Sequence, residues 1–263
     1  VIGGHYDHIG RFGNQVAEKN LGQIHNGADD NASGTAGIIE LARLLSSGKR
    51  PKRSFVFVAF SGEEIGLFGS RHWVNATRYF TTTEATTALE SAPNPHGDNK
   101  GATLLWEAGT LLKATGSFQG GHFQVKTLDG ESGWVKTTDL KQIEGPTPLH
   151  SVIAMINLDM IGRGKDGGPV TVLGANSSAA FPPLLEEISK NIALPIKLNK
   201  GLGGGGSDHA NFVRKKIPVV FFFTGMHGQY NTPEDDIGTV NVPFEARIVD
   251  MAWKTSLKLA SAE

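Results

Sequence analysis

Uninterrupted apolar runs and helical apolar periods take turns along this chain. Phe55-Val56-Phe57-Val58-Ala59-Phe60 is β-branched and aromatic, bounded upstream by Arg50-Pro51-Lys52-Arg53. That pattern predicts a strand buried on both faces at the centre of an α/β sheet. Val1-Ile2, the run from Ser151 to Met160, Val170-Thr171-Val172-Leu173 and Val219 to Phe223 predict further strands. Between them lie helical periods. Ile38, Leu41, Ala42 and Leu45 recur at i, i+3, i+4 and i+7, with Ser33 as the expected N-cap and Gly48 followed by Pro51 as the stop. Leu67 to Val74 reads as a short helix. Pro182 to Asn191 reads as a helix opened by proline, with Leu184, Leu185 and Ile188 inward. A last helix starts near Pro243 and shows Phe244, Ile248, Met251, Ala252 and Leu259 on one face. Strands alternating with helices predict an α/β sandwich.

From about Thr81 to Gly145 the pattern changes. Thr81 to Thr87 is a polar, threonine-rich stretch that reads as a linker. Short β-like pieces follow at Thr103 to Leu105, Thr110 to Ala114, His122 to Thr127 and Gly133 to Lys136. Gly120-Gly121 and Asp129-Gly130 between them are strong hairpin signals. The expected organisation is an α/β domain over 1–80 and 146–263, with a small all-β module inserted at 84–145. The connections, Thr81 to Thr87 and Gly145-Pro146-Thr147-Pro148, suit an independently folded insert.

Composition narrows the function classes. Lys and Arg number 25 against 26 Asp and Glu, a net charge of -1, so no nucleic-acid footprint is expected. No apolar run is long enough for a membrane span. Cysteine is absent, which excludes disulfides and thiolate metal sites. The chain opens on strand-like Val1-Ile2-Gly3-Gly4 with no signal sequence and no initiator methionine, and reads as a fragment truncated at its N-terminus.

The candidate chemistry gathers where strands end. Phe60 is followed by Ser61-Gly62-Glu63-Glu64, and two adjacent carboxylates at a sheet edge repel unless a cation or a shared proton holds them. The plainer reading is a pair of acids opening a helix. Gly3-Gly4-His5-Tyr6-Asp7-His8 offers an imidazole with an orienting acid two residues on, His8 reading only as a loop residue. Asp29 and Asp30 precede Asn31 in a loop with more polar groups than capping needs. Asp159 ends another apolar run. His5, Asp30, Glu63, Glu64 and Asp159 therefore form an oxygen and imidazole set suited to a zinc pair, with manganese or cobalt as alternatives. Such pairs activate water, and a carboxylate beside a ligand carboxylate suits a general base.

These motifs, together with Ser207-Asp208-His209 and Thr224-Gly225-Met226-His227-Gly228-Gln229-Tyr230-Asn231-Thr232-Pro233, resemble the di-zinc aminopeptidase family, which also contains glutamate carboxypeptidases and glutaminyl cyclases. The resemblance covers 1–80 and 146–262. It implies a three-layer α/β sandwich around a mixed, mostly parallel sheet. By position it implies Asp30 as the carboxylate bridging two zinc ions, and His5 and Asp159 as the other ligands of one. Glu64 resembles a ligand of the second ion and Glu63 the general base. Tyr230 resembles an oxyanion-stabilising residue, and Asp7 and Asp208 match acids behind the ligands. The family's last ligand is a histidine, where this chain has Asn231. Asparagine offers a carbonyl oxygen where zinc prefers imidazole, so a weak or empty second site is expected; His227 reads as a structural loop residue, a substitute ligand being the alternative.

Residues 88 to 143 resemble a bacterial SH3-like barrel, on the Ala92-Pro93-Asn94 start, the Gly109-Thr110 turn and Gly133-Trp134-Val135. A peptide or cell-wall ligand for that module is the corresponding expectation. The implied activity is a metal-dependent exopeptidase of the aminopeptidase type acting on peptides, with one or two zinc ions. Its alternatives are glutaminyl-cyclase-like aminoacyl transfer and a catalytically weakened peptide- or wall-binding protein. An extracellular or periplasmic location is expected with either.

Overall fold

In the computed structural model, which describes residues 1–48, 50–94, 101–145, 147, 149–199, 201 and 205–262, the chain divides into two compact units. One comprises Val1–Val74 with Val152–Glu263, the other Asn75–Ser151. Pro146 and Pro148 of the expected connection, and Gly203 and Gly204 of a glycine run, lie outside the described residues.

In chain order, the first unit begins with β1 (Ile2–His5), α1 (Gly34–Ser46), β2 (Phe57–Phe60) and α2 (Phe68–Asn75). The second unit carries β3 (Tyr79–Thr82), β4 (Thr86–Leu89), β5 (Thr103–Trp106), β6 (Leu111–Gln119), β7 (His122–Thr127), β8 (Ser132–Lys136) and β9 (Leu140–Glu144). The first unit resumes with β10 (Met155–Leu158), β11 (Val170–Leu173), α3 (Phe181–Asn191), β12 (Ile196–Leu198), α4 (His209–Arg214), β13 (Val219–Phe223) and α5 (Val242–Ser261).

The first unit's sheet runs β12-β11-β13-β10-β1-β2. Strands β13, β10, β1 and β2 are mutually parallel, and β11 pairs antiparallel with β13. Side chains alternate between faces along each strand. Ile2, Ile156, Leu158, Val220 and Phe222 join Ile38 and Leu41 of α1, Leu185 of α3 and Ile248 of α5 in one core. On the opposite face Phe221 lies against the His209 ring of α4, with ring centroids 4.5 Å apart, and Phe212 of α4 stacks on Trp73 of α2. Helices thus cover both faces of a mixed, mostly parallel sheet.

Two expectations change here. The run Phe55 to Phe60 does not form a central strand: only Phe57–Phe60 is strand, at the sheet edge, with Ala59 exposed. The central, fully buried strand is β10. Ser33 occupies the N-cap of α1 but makes no capping bond. Asn31 takes that role, its Oδ1 accepting from Gly34 N–H at 3.0 Å, while the Ser33 hydroxyl donates to the Asp29 carbonyl at 2.7 Å.

The second unit is one antiparallel sheet in the order β5-β4-β8-β7-β6-β3-β9. The stretch Thr81 to Thr87 is not a linker. Its threonines supply β3 and β4, and β3 pairs with both β6 and β9, which places the start of this unit before residue 84. Threonine is β-branched and suits a half-buried pleat as well as a loop. Phe80, Ala88, Trp106, Leu112, Phe123, Val125 and Val135 form its core. Among the described residues no pairing of β5 with β9 closes the sheet. Also among the described residues, no helix is long and apolar enough to cross a membrane.

Candidate metal centre

Four parallel strands finish at one edge of the first unit's sheet, where open α/β sheets place their ligands. β1 ends in His5, β10 is followed by Asp159, β2 by the turn bearing Glu63 and Glu64, and β13 by the loop bearing Tyr230. A Cβ on Gly4 would collide with the Leu158 carbonyl oxygen, so glycine lets β1 and β10 approach just before their polar ends. Asn31 pins the same place. Its amide donates to the His5 and Leu158 carbonyls, at 3.1 Å each, and its Oδ1 accepts from Met160 N–H at 3.2 Å.

His5, fully buried, points Nε2 at Asp30 Oδ1 (3.2 Å) and at Asp159 Oδ1 (3.4 Å). Its Nδ1 lies 3.1 Å from the Asp7 carbonyl oxygen, nearer than the Asp7 carboxylate at 3.8 Å. With Nδ1–H donated there, Nε2 is the nitrogen left facing the acids. The Asp7 carboxylate instead accepts from Glu63 N–H at 3.3 Å. The second oxygen of Asp30 faces the other way, 4.0 Å from His8 Nδ1, and His8 Nδ1 is 2.8 Å from Glu64 Oε1. His5, Asp30 and Asp159 make one group with donor atoms within 4.8 Å of one another; His8, Asp30 and Glu64 make a second; His5, Glu63 and Glu64 a third. Asp30 belongs to both of the first two.

Burial of so much charge shifts its titration. Burial pushes Glu63 up to about 8, with Asp159, Asp208 and Glu64 adding repulsion. Asp30 rises to about 6 and Asp208 to about 6, again through burial. Burial alone would lower His5, yet the close Asp159 and Asp30 carboxylates push it up to about 12. In effect the two acids retain a proton at the point where all three side chains converge. The same convergence fits a cation. A tetrahedral zinc with bonds of about 2.0–2.1 Å has neighbouring donors roughly 3.3 Å apart, and the His5 distances match that edge. His5 Nε2 and Asp159 Oδ1 are buried without a hydrogen-bond partner of proper geometry, as an ion-facing pair would be.

His5, Asp30, Glu63, Glu64 and Asp159 thus converge, with the Asp7 carboxylate 3.8 Å from His5. Asp208 is fully buried, held down by Ser70 and the His5 charge while burial raises it. Tyr230 is half-buried and its hydroxyl is pushed up to about 12, by burial first and then by Asp30, Glu64 and Glu63. Asn231 donates its amide to Gln15 Oε1 at 3.1 Å, and Gln15 in turn donates to the Glu64 carbonyl. Among the described residues His227 joins none of these three groups. Its Nε2 lies 3.2 Å from Asp29 Oδ2, on the loop that carries Asp30. Asp235, not singled out from the sequence, accepts from the Asp29 and Asp30 N–H groups at 3.0 and 3.1 Å and so fixes the loop that carries Asp30. His8 is the other residue that sequence reasoning passed over.

The sequence profile described as Peptidase family M28 matches residues 1–256. Aminopeptidase YwaD of Bacillus subtilis (strain 168) is 36% identical over 109 residues, 41% of this chain and 20% of that protein. The uncharacterized protein YfbL of Escherichia coli (strain K12) is 43% identical over 70 residues, covering 27% of this chain and 20% of that protein. Among solved structures, the LapA aminopeptidase of Legionella pneumophila aligns with a TM-score of 0.60 at 20% identity, covering 100% of this chain and 51% of its own. Porphyromonas gingivalis glutaminyl cyclase aligns at 0.56 and 16% identity, covering 98% and 72%. These two likenesses concern the fold. The chain spans about a fifth of the length of either curated relative.

Proposed function

The chain belongs to peptidase family M28, and from that premise we propose that it acts as a zinc-dependent exopeptidase of the aminopeptidase type, releasing N-terminal residues from peptides. The carrying observation is the shared Asp30, whose two oxygens face two histidines and so join two donor sets. Nitrogen and oxygen donors without thiolate suit a catalytic zinc. His5, Asp30 and Asp159 would hold one ion, and Glu64 with Asp30 would contribute to a second.

Zinc bound there supplies a Lewis acid for the scissile carbonyl and an activated water. Glu63 differs from its neighbour in exposure: Glu64 is buried, whereas Glu63 is half-buried and open to an incoming substrate. The positive charge of an ion held beside it would lower Glu63 and leave it ionised, so Glu63 serves as the base, taking a proton from the attacking water and returning it to the leaving amine. Tyr230 keeps its proton throughout the neutral range, so its hydroxyl can donate to the developing oxyanion. Asp7 orients both partners, through its carbonyl to His5 and its carboxylate to the Glu63 backbone.

Hydrolysis of aminoacyl-anilides by zinc-loaded protein tests this reading. Glu63→Gln should lower kcat by about 10²–10⁴-fold, the usual worth of a general base, with zinc content unchanged. Full activity in that variant removes Glu63 from the mechanism. Conversion of an N-terminal glutaminyl peptide to its pyroglutamyl form, with no anilide hydrolysis, would favour the cyclase alternative instead.

A further inference from the structure

We propose that His8 is the imidazole ligand of a second metal ion, held with Asp30 and Glu64 and coupled through Asp30 to the ion at His5. This rests on the zinc reading above and assigns the second position to a different side chain from the Asn231 that sequence reasoning placed there.

Three observations carry it. His8 Nδ1 is in hydrogen-bond contact with Glu64 Oε1 and faces the Asp30 oxygen turned away from His5. Its side chain is only 11% exposed, against 5% for each of the two acids, so the three donors form a nearly closed set. The ring is also seated by the backbone. A Cβ on Gly27 would come within 2.7 Å of His8 Cγ, so only glycine, here at φ +60°, lets the Asp29-Asp30 loop lie flat against the imidazole. The loop that delivers Asp30 therefore also positions the His8 ring. Asn231 is engaged differently: its amide is tied to Gln15, which leaves one buried carbonyl oxygen to offer. Zinc takes imidazole nitrogen in preference to an amide oxygen.

Metal content, read without any turnover, tests the assignment. Protein stripped with chelator and re-equilibrated with zinc should hold two ions per chain by elemental analysis. His8→Gln should hold one. In chelator competition its weaker zinc site should lose at least about 100-fold in affinity, the upper range seen when merely a ligand's supporting group is removed, while the tighter site stays within about threefold. Should His8→Gln fail to fold, the wild-type protein serves instead: in a histidine side-chain ¹H–¹⁵N spectrum, the His8 ring nitrogen should move with the second equivalent of zinc and the His5 nitrogen with the first. Two ions retained in His8→Gln, or a His8 resonance indifferent to zinc, overturns the proposal. A single ion in wild type also overturns it, yet leaves the exopeptidase reading intact. No zinc at all in wild type removes both.

Discussion

Both units bury polar side chains that bond to backbone, but among the described residues only the α/β unit adds a cluster of buried acids. In the antiparallel unit the buried polar groups among the described residues are Arg78, Thr82, Thr86 and His122. Each has a backbone carbonyl as partner. Arg78 donates to Thr147 and Ala76, Thr82 to Glu107 and Thr86 to Glu84, and His122 Nδ1 lies 2.7 Å from the Gly120 carbonyl. In the α/β unit His5, Asp30, Glu64, Asp159 and Asp208 are buried and face chiefly one another's charge. A buried polar group answered by its own backbone reports on folding. A buried charge answered mainly by other charges reports on a partner that the chain does not itself supply.

Removing the shared carboxylate should have the largest effect. Asp30→Ala should lose both zinc ions and lower turnover on the order of 10⁴-fold, the scale of losing one member of a group that acts as a unit. In chelator the same variant should melt no lower than wild type, because one of several repelling acids is gone. Elemental analysis and thermal melts with and without chelator check both halves. A metal-free variant much less stable than metal-free wild type would make Asp30 a structural residue and break the contrast.

In the antiparallel unit the expected effect is purely structural. Phe123 is 5% exposed and packs on Phe80 with ring centroids 5.2 Å apart. Phe123→Ala should cost about 3–5 kcal/mol of stability, measured by denaturant unfolding, and leave zinc per folded chain at the wild-type value. Loss of zinc from the folded variant would show that the two kinds of burial are not separate.

Much of the α/β unit is legible in the sequence because its strands are simple apolar runs ending in chemistry. Val219 to Phe223 is a strand over its full expected length, and Asp159 follows β10 as the apolar run before it suggests. What the sequence does not carry is neighbourhood. The run ending at Phe60 looks central by composition, but its rank in the sheet depends on which strands pair with it, and among the described residues β1 alone does. His8 reads as a loop residue for the same reason, since Glu64 lies 56 positions away. His227 looks like a spare ligand by its closeness to Asn231 along the chain, whereas its partner is Asp29. The antiparallel unit hides strands β3, β4 and β9 because their threonines, of which Thr82 and Thr86 are buried, and the Lys141 and Glu144 of β9 have the composition of a linker.

Glu245 gives the smallest expected effect and the finest test of the contrast. It sits in the first turn of α5, half-buried, and burial alone raises it from 4.5 to about 7. No charge cluster contributes to that shift, so it marks a cost of folding and no function. Below pH 4.5 both folded and unfolded chains carry this proton and the group is neutral to stability. Between 4.5 and about 7 the unfolded chain releases it first, so stability falls as pH rises, and above 7 the folded protein bears the full penalty. With solvent screening discounted, that penalty is about 1 kcal/mol. Glu245→Gln should therefore raise Tm by about 2–4 °C at pH 8, with little change at pH 4.5, and should leave anilide hydrolysis and zinc content unaltered. Altered activity in this variant would mean that a carboxyl raised by burial, without charged company, is enough to signal function in this fold.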